Sequence, residues 1–298
     1  MTFRCSVAGL ERGDGLAGTA STVRSFLLIE NPGPWGVEAL RDSRLPPAVK
    51  EGLSAAAARA RVRPLLIRRF HRRAPRHDFR VYAAHVGPES GWLQTAVVDQ
   101  PEELLGLDLT ALGAGRSPGL VPVDGPLFFV CTHGKHDACC AERGRPVAAA
   151  LSAAYPDQTW EVSHIGGDRY AGNALVLPDG LYLGRLDARS AVVAAGDLLA
   201  GRLPLDVLRG HSYLPMAAQA GEIALFRHLG ETAAAAIRVL GHHRDGDLTT
   251  VDLAHFDEQW RVVVRTELGP GALLACRALR ENPTPRHQVV DVVRIGGR

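Results

Sequence analysis

The sequence predicts an α/β fold: a mixed β-sheet with helices packed against it and a small antiparallel β segment at the C-terminus. Two observations carry this reading. Short apolar runs of strand length alternate with Ala-rich stretches of helix length, bounded by Gly and Pro. The same element order (strand, helix, strand, hairpin, helix) also occurs twice, first from Ser25 to Leu109 and again from Leu127 to Gly201. That order is the skeleton of a thioredoxin-like layer, and its recurrence is compatible with two degenerate halves.

Residues 1–24 carry Gly9, Gly13, Gly15 and Gly18 among scattered charges and read as loop. SFLLIE (Ser25–Glu30) is a strand, stopped by the turn NPGPWG. Pro46-Pro47 opens an Ala-rich helix, since Pro is tolerated in a first turn where N–H groups have no partner. PLLIRRF is the second strand, FRVYAAHV and GWLQTAVVD form a hairpin, and PEELLGLDL is a brief helix. Gly and Pro reach loop density at 110–124, which places a junction there.

In the second copy, LFFV (Leu127–Val130) delivers Cys131 at its end. GRPVAAALSAAYP is a helix, and TWEVSHI is a strand that delivers His164. NALVLPDGLYLGRL turns on Pro178-Asp179-Gly180, and SAVVAAGDLLAG closes with Gly201. Residues from Leu203 to His243 read as helices covering the core. TTVDLAHF, QWRVVVRTEL, ALLACRAL and HQVVDVVRI then read as short strands. The expected division is 1–120 (an α/β half without the cysteine cluster), 121–205 (the half with it) and 206–298 (helices and a small sheet).

Bulk properties narrow the function classes. Thirty-four basic against 32 acidic residues leave a net charge of +2, which makes no electrostatic case for nucleic acid. The pairs Arg68-Arg69 and Arg72-Arg73 read as a solvated face. No apolar run reaches the ~18 residues of a membrane span, and the start MTFRCSVAGLERGDG lacks an apolar core of leader length. A cytoplasmic location without membrane contact is expected. Five unevenly spaced cysteines do not form a secreted disulfide framework. Cys5 and Cys276, remote in sequence, are expected to be small buried hydrophobes.

The chemistry concentrates in Phe129–Asn173, which holds Cys131, Cys139, Cys140 and the segment SHIGGD. Thiolates with an imidazole suit zinc or iron–sulfur iron, whereas magnesium and calcium call for oxygen. Structural zinc sites present close C-x₂₋₄-C pairs. Here eight residues intervene between Cys131 and Cys140, a loop able to wrap something bulkier than one ion. Thiol-redox chemistry of the C-x-x-C type has no motif to use. Gly166-Gly167 fits a tight turn presenting ligands, and Arg169 is placed to offset charge or guide an acidic partner.

CTHGKHDACC, SHIGGD and the N-terminal pattern of RCS, LLIENPGPWG and SRLPP together resemble the sucrase/ferredoxin-like family. The resemblance implies a thioredoxin-like ferredoxin in which two cysteines and two histidines of an H-x-G-G-H motif hold a [2Fe–2S] cluster. Carried over by position, Cys131 and Cys140 are the thiolate ligands and His164 is the first histidine. The second position reads Asp168, so the fourth ligand is Asp168, Cys139, His133 or His136.

The function expected is therefore electron transfer rather than catalysis. The donor and acceptor would be unidentified separate proteins, because ALGAGRSPGL lacks the strand–turn–helix context of a dinucleotide loop. The alternative is a zinc-binding or cluster-free module for structure or partner binding. A glycosidase, which the family's name suggests, needs two carboxylates across a scissile bond, and no such pair stands out.

Overall fold

A computed structural model describes residues 2–70, 79–88 and 91–297. Arg72-Arg73 lies outside the described residues. The first half contains α1 (Cys5–Glu11), β1 (Ser25–Glu30), α2 (Pro47–Ala60), β2 (Val62–Arg68), β3 (Phe79–His85) and β4 (Trp92–Val98). After a 3-10 turn at Pro101–Gly106 come α3 (Leu109–Gly113) and β5 (Val121–Pro122). The second half follows with β6 (Leu127–Cys131), α4 (Ala138–Ala154), β7 (Thr159–Val162), a 3-10 turn at Asp168–Tyr170, β8 (Ala174–Leu177), β9 (Leu181–Leu183), α5 (Ala188–Leu199) and β10 (Leu208–His211). The chain ends with α6 (Met216–Leu229), β11 (Ile237–Asp245), β12 (Leu248–His255), β13 (Glu258–Ala272) and β14 (Asn282–Gly296).

Strands β1 to β10 form one sheet in the order β10-β9-β8-β6-β7-β2-β1-β3-β4-β5. In the first half β1 lies between a parallel β2 and an antiparallel β3. In the second half β6 lies between a parallel β7 and an antiparallel β8. The order β2-β1-β3-β4 is thus repeated as β7-β6-β8-β9, the thioredoxin-like order expected of both segments. The copies meet where β2 pairs antiparallel with β7, at Ile67–Val162 and Arg68–Glu161.

Period-two alternation sorts the core. Leu27 and Ile29 of β1 pack towards α2 with Leu53 and Leu66. Phe128 and Val130 of β6 pack towards α4 and α5. Their alternates, Phe26 and Leu28 with Leu127, Phe129 and Cys131, share a third core that both halves build. Burying a large apolar side chain contributes roughly 1.5–3 kcal/mol. Cys131 and Cys140 are members of that shared core, so the site is anchored in it.

Several elements differ from expectation. Residues Cys5–Glu11 form a helix rather than loop, with Cys5, Ser6 and Gly9 buried against the rest of the chain. Leu208–His211 is an edge strand on β9, not helix, and Ile237–Asp245 is a strand. ALLACRAL is no strand beyond Ala272; it is the irregular connection from β13 to β14. The C-terminal sheet is antiparallel and four-stranded, in the order β11-β12-β13-β14. Its Val251, Leu253, Val262 and Val264 pack with Ile223 and Phe226 of α6.

Candidate metal centre

The site is built where β6, β7 and α4 converge. α4 begins at Ala138, earlier than the expected start at Gly144, because Asp137 caps it: the carboxylate accepts from the Cys139 N–H at 2.8 Å. The vicinal cysteines therefore sit in a helical first turn rather than in a loop. Gly144 allows the approach of α4 to Cys131, since a Cβ there would lie 2.0 Å from the Cys131 carbonyl oxygen.

His164 follows β7, and the chain then turns through Gly166 (φ 99°) and Gly167 (φ 83°) into the 3-10 turn that starts with Asp168. Both glycines are demanded by conformation and by space. A Cβ on Gly167 would lie 2.3 Å from the Arg209 guanidinium. Arg209 is fully buried and braces this loop from behind. It donates to Gly166 O (3.0 Å), Asn173 Oδ1 (2.9 Å), Thr19 Oγ1 (3.1 Å) and Thr19 O (2.5 Å). Burial lowers its pKa to about 10.

The structure brings Cys131, Cys140 and His164 together, with their donor atoms within 4.8 Å of one another. Asp168 Oδ1 lies 3.2 Å from Cys140 Sγ and 3.1 Å from His164 Nδ1. Both thiols are buried, Asp168 is 8% exposed, and His164 stands at the rim. A hydrogen bond from Cys140, together with the His164 imidazole, pushes the Cys131 thiol well below its ordinary value against the effect of burial. Cys140 moves the other way: its hydrogen bond with Cys131, its burial and the Asp168 carboxylate all favour the neutral thiol. Burial opposes charge on His164, yet Asp168 and Cys131 raise it to about 9. Burial likewise opposes charge on Asp168, but His164 holds it below the usual carboxylate range.

The other three candidates for a fourth ligand separate cleanly. Both ring nitrogens of His133 are used by backbone: Nδ1 accepts from the His164 N–H at 3.2 Å, which makes Nε2 the donor to Gly36 O at 2.6 Å. His136 stacks on His164, with ring centroids 3.8 Å apart, and shares a donor cluster with His164 and Asp168. Cys139 turns away into a different cluster with Cys5, Cys276 and Asp137. Cys5 is buried and Cys276 half-buried in one small apolar cluster with Cys139 and Ala171, as expected, and their thiols also meet Asp137 there. Arg169 is paired with Asp14 at 3.1 Å, and the buried cation behind the loop is Arg209. Nothing in the local pattern LRGH marks Arg209 in advance.

The donor set fits a metal group. Two sulfurs, an imidazole nitrogen and a carboxylate oxygen suit zinc or iron. The buried His164 Nδ1 makes no hydrogen bond, because its contact with Asp168 is close but poorly aligned. A metal bound there would take the place of the imidazole proton.

A two-copy mixed sheet presenting such donors at one strand–helix junction defines the class: an α/β protein with a candidate thiolate–imidazole–carboxylate metal site. The sucrase/ferredoxin-like family model matches residues 16–195, and the chain belongs to that family. No curated protein and no solved structure matches the chain.

Proposed function

We propose that this chain is an electron-transfer protein carrying one [2Fe–2S] cluster on Cys131, Cys140, His164 and Asp168. The observation that supports it is the convergence of these four side chains, from the end of β6, the first turn of α4 and the segment after β7, in a member of the sucrase/ferredoxin-like family. Such a cluster supplies one-electron transfer, with a potential set by its ligands and their surroundings. The chain's own residues do the rest. The apolar core around Cys131 and Cys140 keeps water from the thiolate side. Arg209 offsets negative charge from behind the Gly166-Gly167 turn. His164 and His136 form the exposed edge, beside a cleft lined by Val37, Leu40, Arg41 and Arg63. Arg41 and Arg63 there suit an acidic surface on a separate reductase or acceptor.

One observation favours a second reading. Cys140 is in direct contact with Asp168, and the donors of Cys131, Cys140 and His164 lie within 4.8 Å of one another, a spacing suited to one ion. A two-iron cluster requires the 3-10 turn carrying Asp168 to move away from α4; a single zinc does not. Anaerobic purification followed by visible and electron paramagnetic resonance spectra, with iron and sulfide assays, decides between them. The cluster reading expects about two irons and two sulfides per chain with a rhombic signal on reduction. A colourless protein whose zinc is lost on replacing Cys131 and Cys140 overturns it.

A further inference from the structure

We propose that Cys5, Cys139, Cys276 and Asp137 form a second metal site, one that binds zinc and staples both ends of the chain to α4. The three cysteines come from three distant segments: the first residue of α1, the first turn of α4, and the irregular connection between β13 and β14. Cys139 Sγ lies 3.4 Å from Cys276 Sγ, and Cys276 Sγ lies 3.6 Å from Cys5 Sγ. Cys5 Sγ is 3.6 Å from Asp137 Oδ1. One donor atom from each of the four residues falls within 4.8 Å of the others.

These spacings are those of ligands around one ion. A tetrahedral site with zinc–sulfur bonds of ~2.3 Å separates its sulfurs by about 3.8 Å. A disulfide would bring them to ~2.05 Å, and all five cysteines are free. The surroundings are arranged for the purpose. Asp137 is completely buried, and its two oxygens accept from the Cys139 N–H (2.8 Å) and the Cys276 N–H (2.6 Å). The backbones of two ligand residues are thus locked to the carboxylate that supplies the fourth donor, which retains lone pairs for a cation. Ser6 Oγ donates to Cys139 Sγ at 3.2 Å, an outer hydrogen bond of the kind that orients a thiolate. Without an ion the cluster is held by S–H donors such as Cys5 Sγ to Asp137 Oδ1 (3.6 Å), and a soft-ligand cation would take the place of those protons. Cys276 is partly exposed and gives the ion a way in.

The site does not belong to the family's shared region. Cys5 and Cys276 both fall outside residues 16–195, and only Asp137 and Cys139 lie within it. Its consequence is local order. Zinc would tie α1 and the β13–β14 connection to the helical turn whose next residue, Cys140, faces His164 and Asp168.

The test is zinc content by mass spectrometry, with cobalt as a spectroscopic probe, on the full chain and three variants. We expect about one zinc per chain in the wild type and in the Cys131→Ser/Cys140→Ser double variant. Zinc should be lost in Cys276→Ser and in Cys5→Ser. Cobalt should give intense thiolate charge-transfer bands and tetrahedral d–d bands that disappear with Cys276→Ser. A zinc count in Cys276→Ser equal to that of the wild type, zinc lost only with the Cys131/Cys140 pair, or a Cys139–Cys276 disulfide in protein prepared without oxygen overturns the proposal. Should the single variants not fold, alkylation of the wild type still decides: zinc must slow labelling of Cys276 at least tenfold and a chelator must restore it. Unchanged labelling overturns the site. Because the double variant removes the Cys131–Cys140 centre, failure of that centre's reading and failure of this one give different zinc counts.

Discussion

Cys139 and Cys140 are consecutive residues of one helical turn, yet their thiols meet different partners. Cys140 Sγ reaches Asp168 Oδ1 at 3.2 Å, while Cys139 Sγ reaches Cys276 Sγ at 3.4 Å. A helix turns by about 100° per residue, which points the two thiols in different directions. The two substitutions should therefore separate. Cys140→Ser should abolish the visible spectrum and the paramagnetic signal of the proposed cluster, as should Cys131→Ser. Cys139→Ala should leave both spectra in place. Loss of the signal in Cys139→Ala alone would place Cys139, not Cys140, at the cluster.

Asp168 stands where the resemblance leads one to expect a histidine. A carboxylate ligand holds more negative charge near iron than an imidazole, and exchange of anionic for neutral ligands raises cluster potentials. Asp168→His should raise the midpoint potential by on the order of 100 mV. If His164 is a ligand with a titrating ring nitrogen, the potential should also fall with rising pH, approaching ~59 mV per pH unit for one proton per electron. Protein-film voltammetry across mildly acidic to alkaline pH measures both. An unchanged potential and spectrum in Asp168→His and Asp168→Cys would make Asp168 a bystander, and a flat pH profile would count against His164.

What could be read in advance depended on the range of the interaction. Cys131 and His164 were legible because each follows a short apolar run, and strand ends can be placed from local pattern. The repeated strand order was legible for the same reason. The helical placement of Cys139-Cys140 was not, because the apolar helix pattern starts only at Gly144, although Asp137 two residues before Cys139 is an ordinary capping signal. β10 was hidden inside a Leu- and Ala-rich stretch, and with it Arg209, whose role depends on Gly166, Asn173 and Thr19 arriving from elsewhere. The meeting of Cys5 with Cys276 spans 271 positions, and no local periodicity encodes such a contact.

Arg209 also makes a stability prediction. Its guanidinium satisfies two carbonyls, an amide oxygen and a hydroxyl in a buried environment. Arg209→Met keeps much of the volume but leaves those acceptors without donors, each such loss costing about 1–3 kcal/mol. The variant should be destabilised by on the order of 3 kcal/mol in urea unfolding. It should also bind metal at the Cys131–His164 centre more weakly, since the Gly166-Gly167 turn loses its brace. Wild-type stability in Arg209→Met would show that the turn holds itself.

His211 provides a pH test remote from either cysteine cluster. Its Nδ1 lies 2.7 Å from Glu222 Oε2, with Asp179 nearby, on the edge strand against α6. Burial alone would lower its pKa, but the Glu222 carboxylate outweighs it, and the value in the folded chain is raised. In the unfolded chain it returns to about 6.5. The folded state therefore binds the proton more tightly. The resulting stabilisation is complete below pH ~6.5 and disappears as pH rises through the higher folded value. Each unit between the two values corresponds to ~1.4 kcal/mol. Urea unfolding of wild type and His211→Gln at a series of pH values should show the gap between them largest in mild acid and shrinking towards alkaline pH. A gap independent of pH would mean that the pair is held by packing and that no proton is taken up on folding.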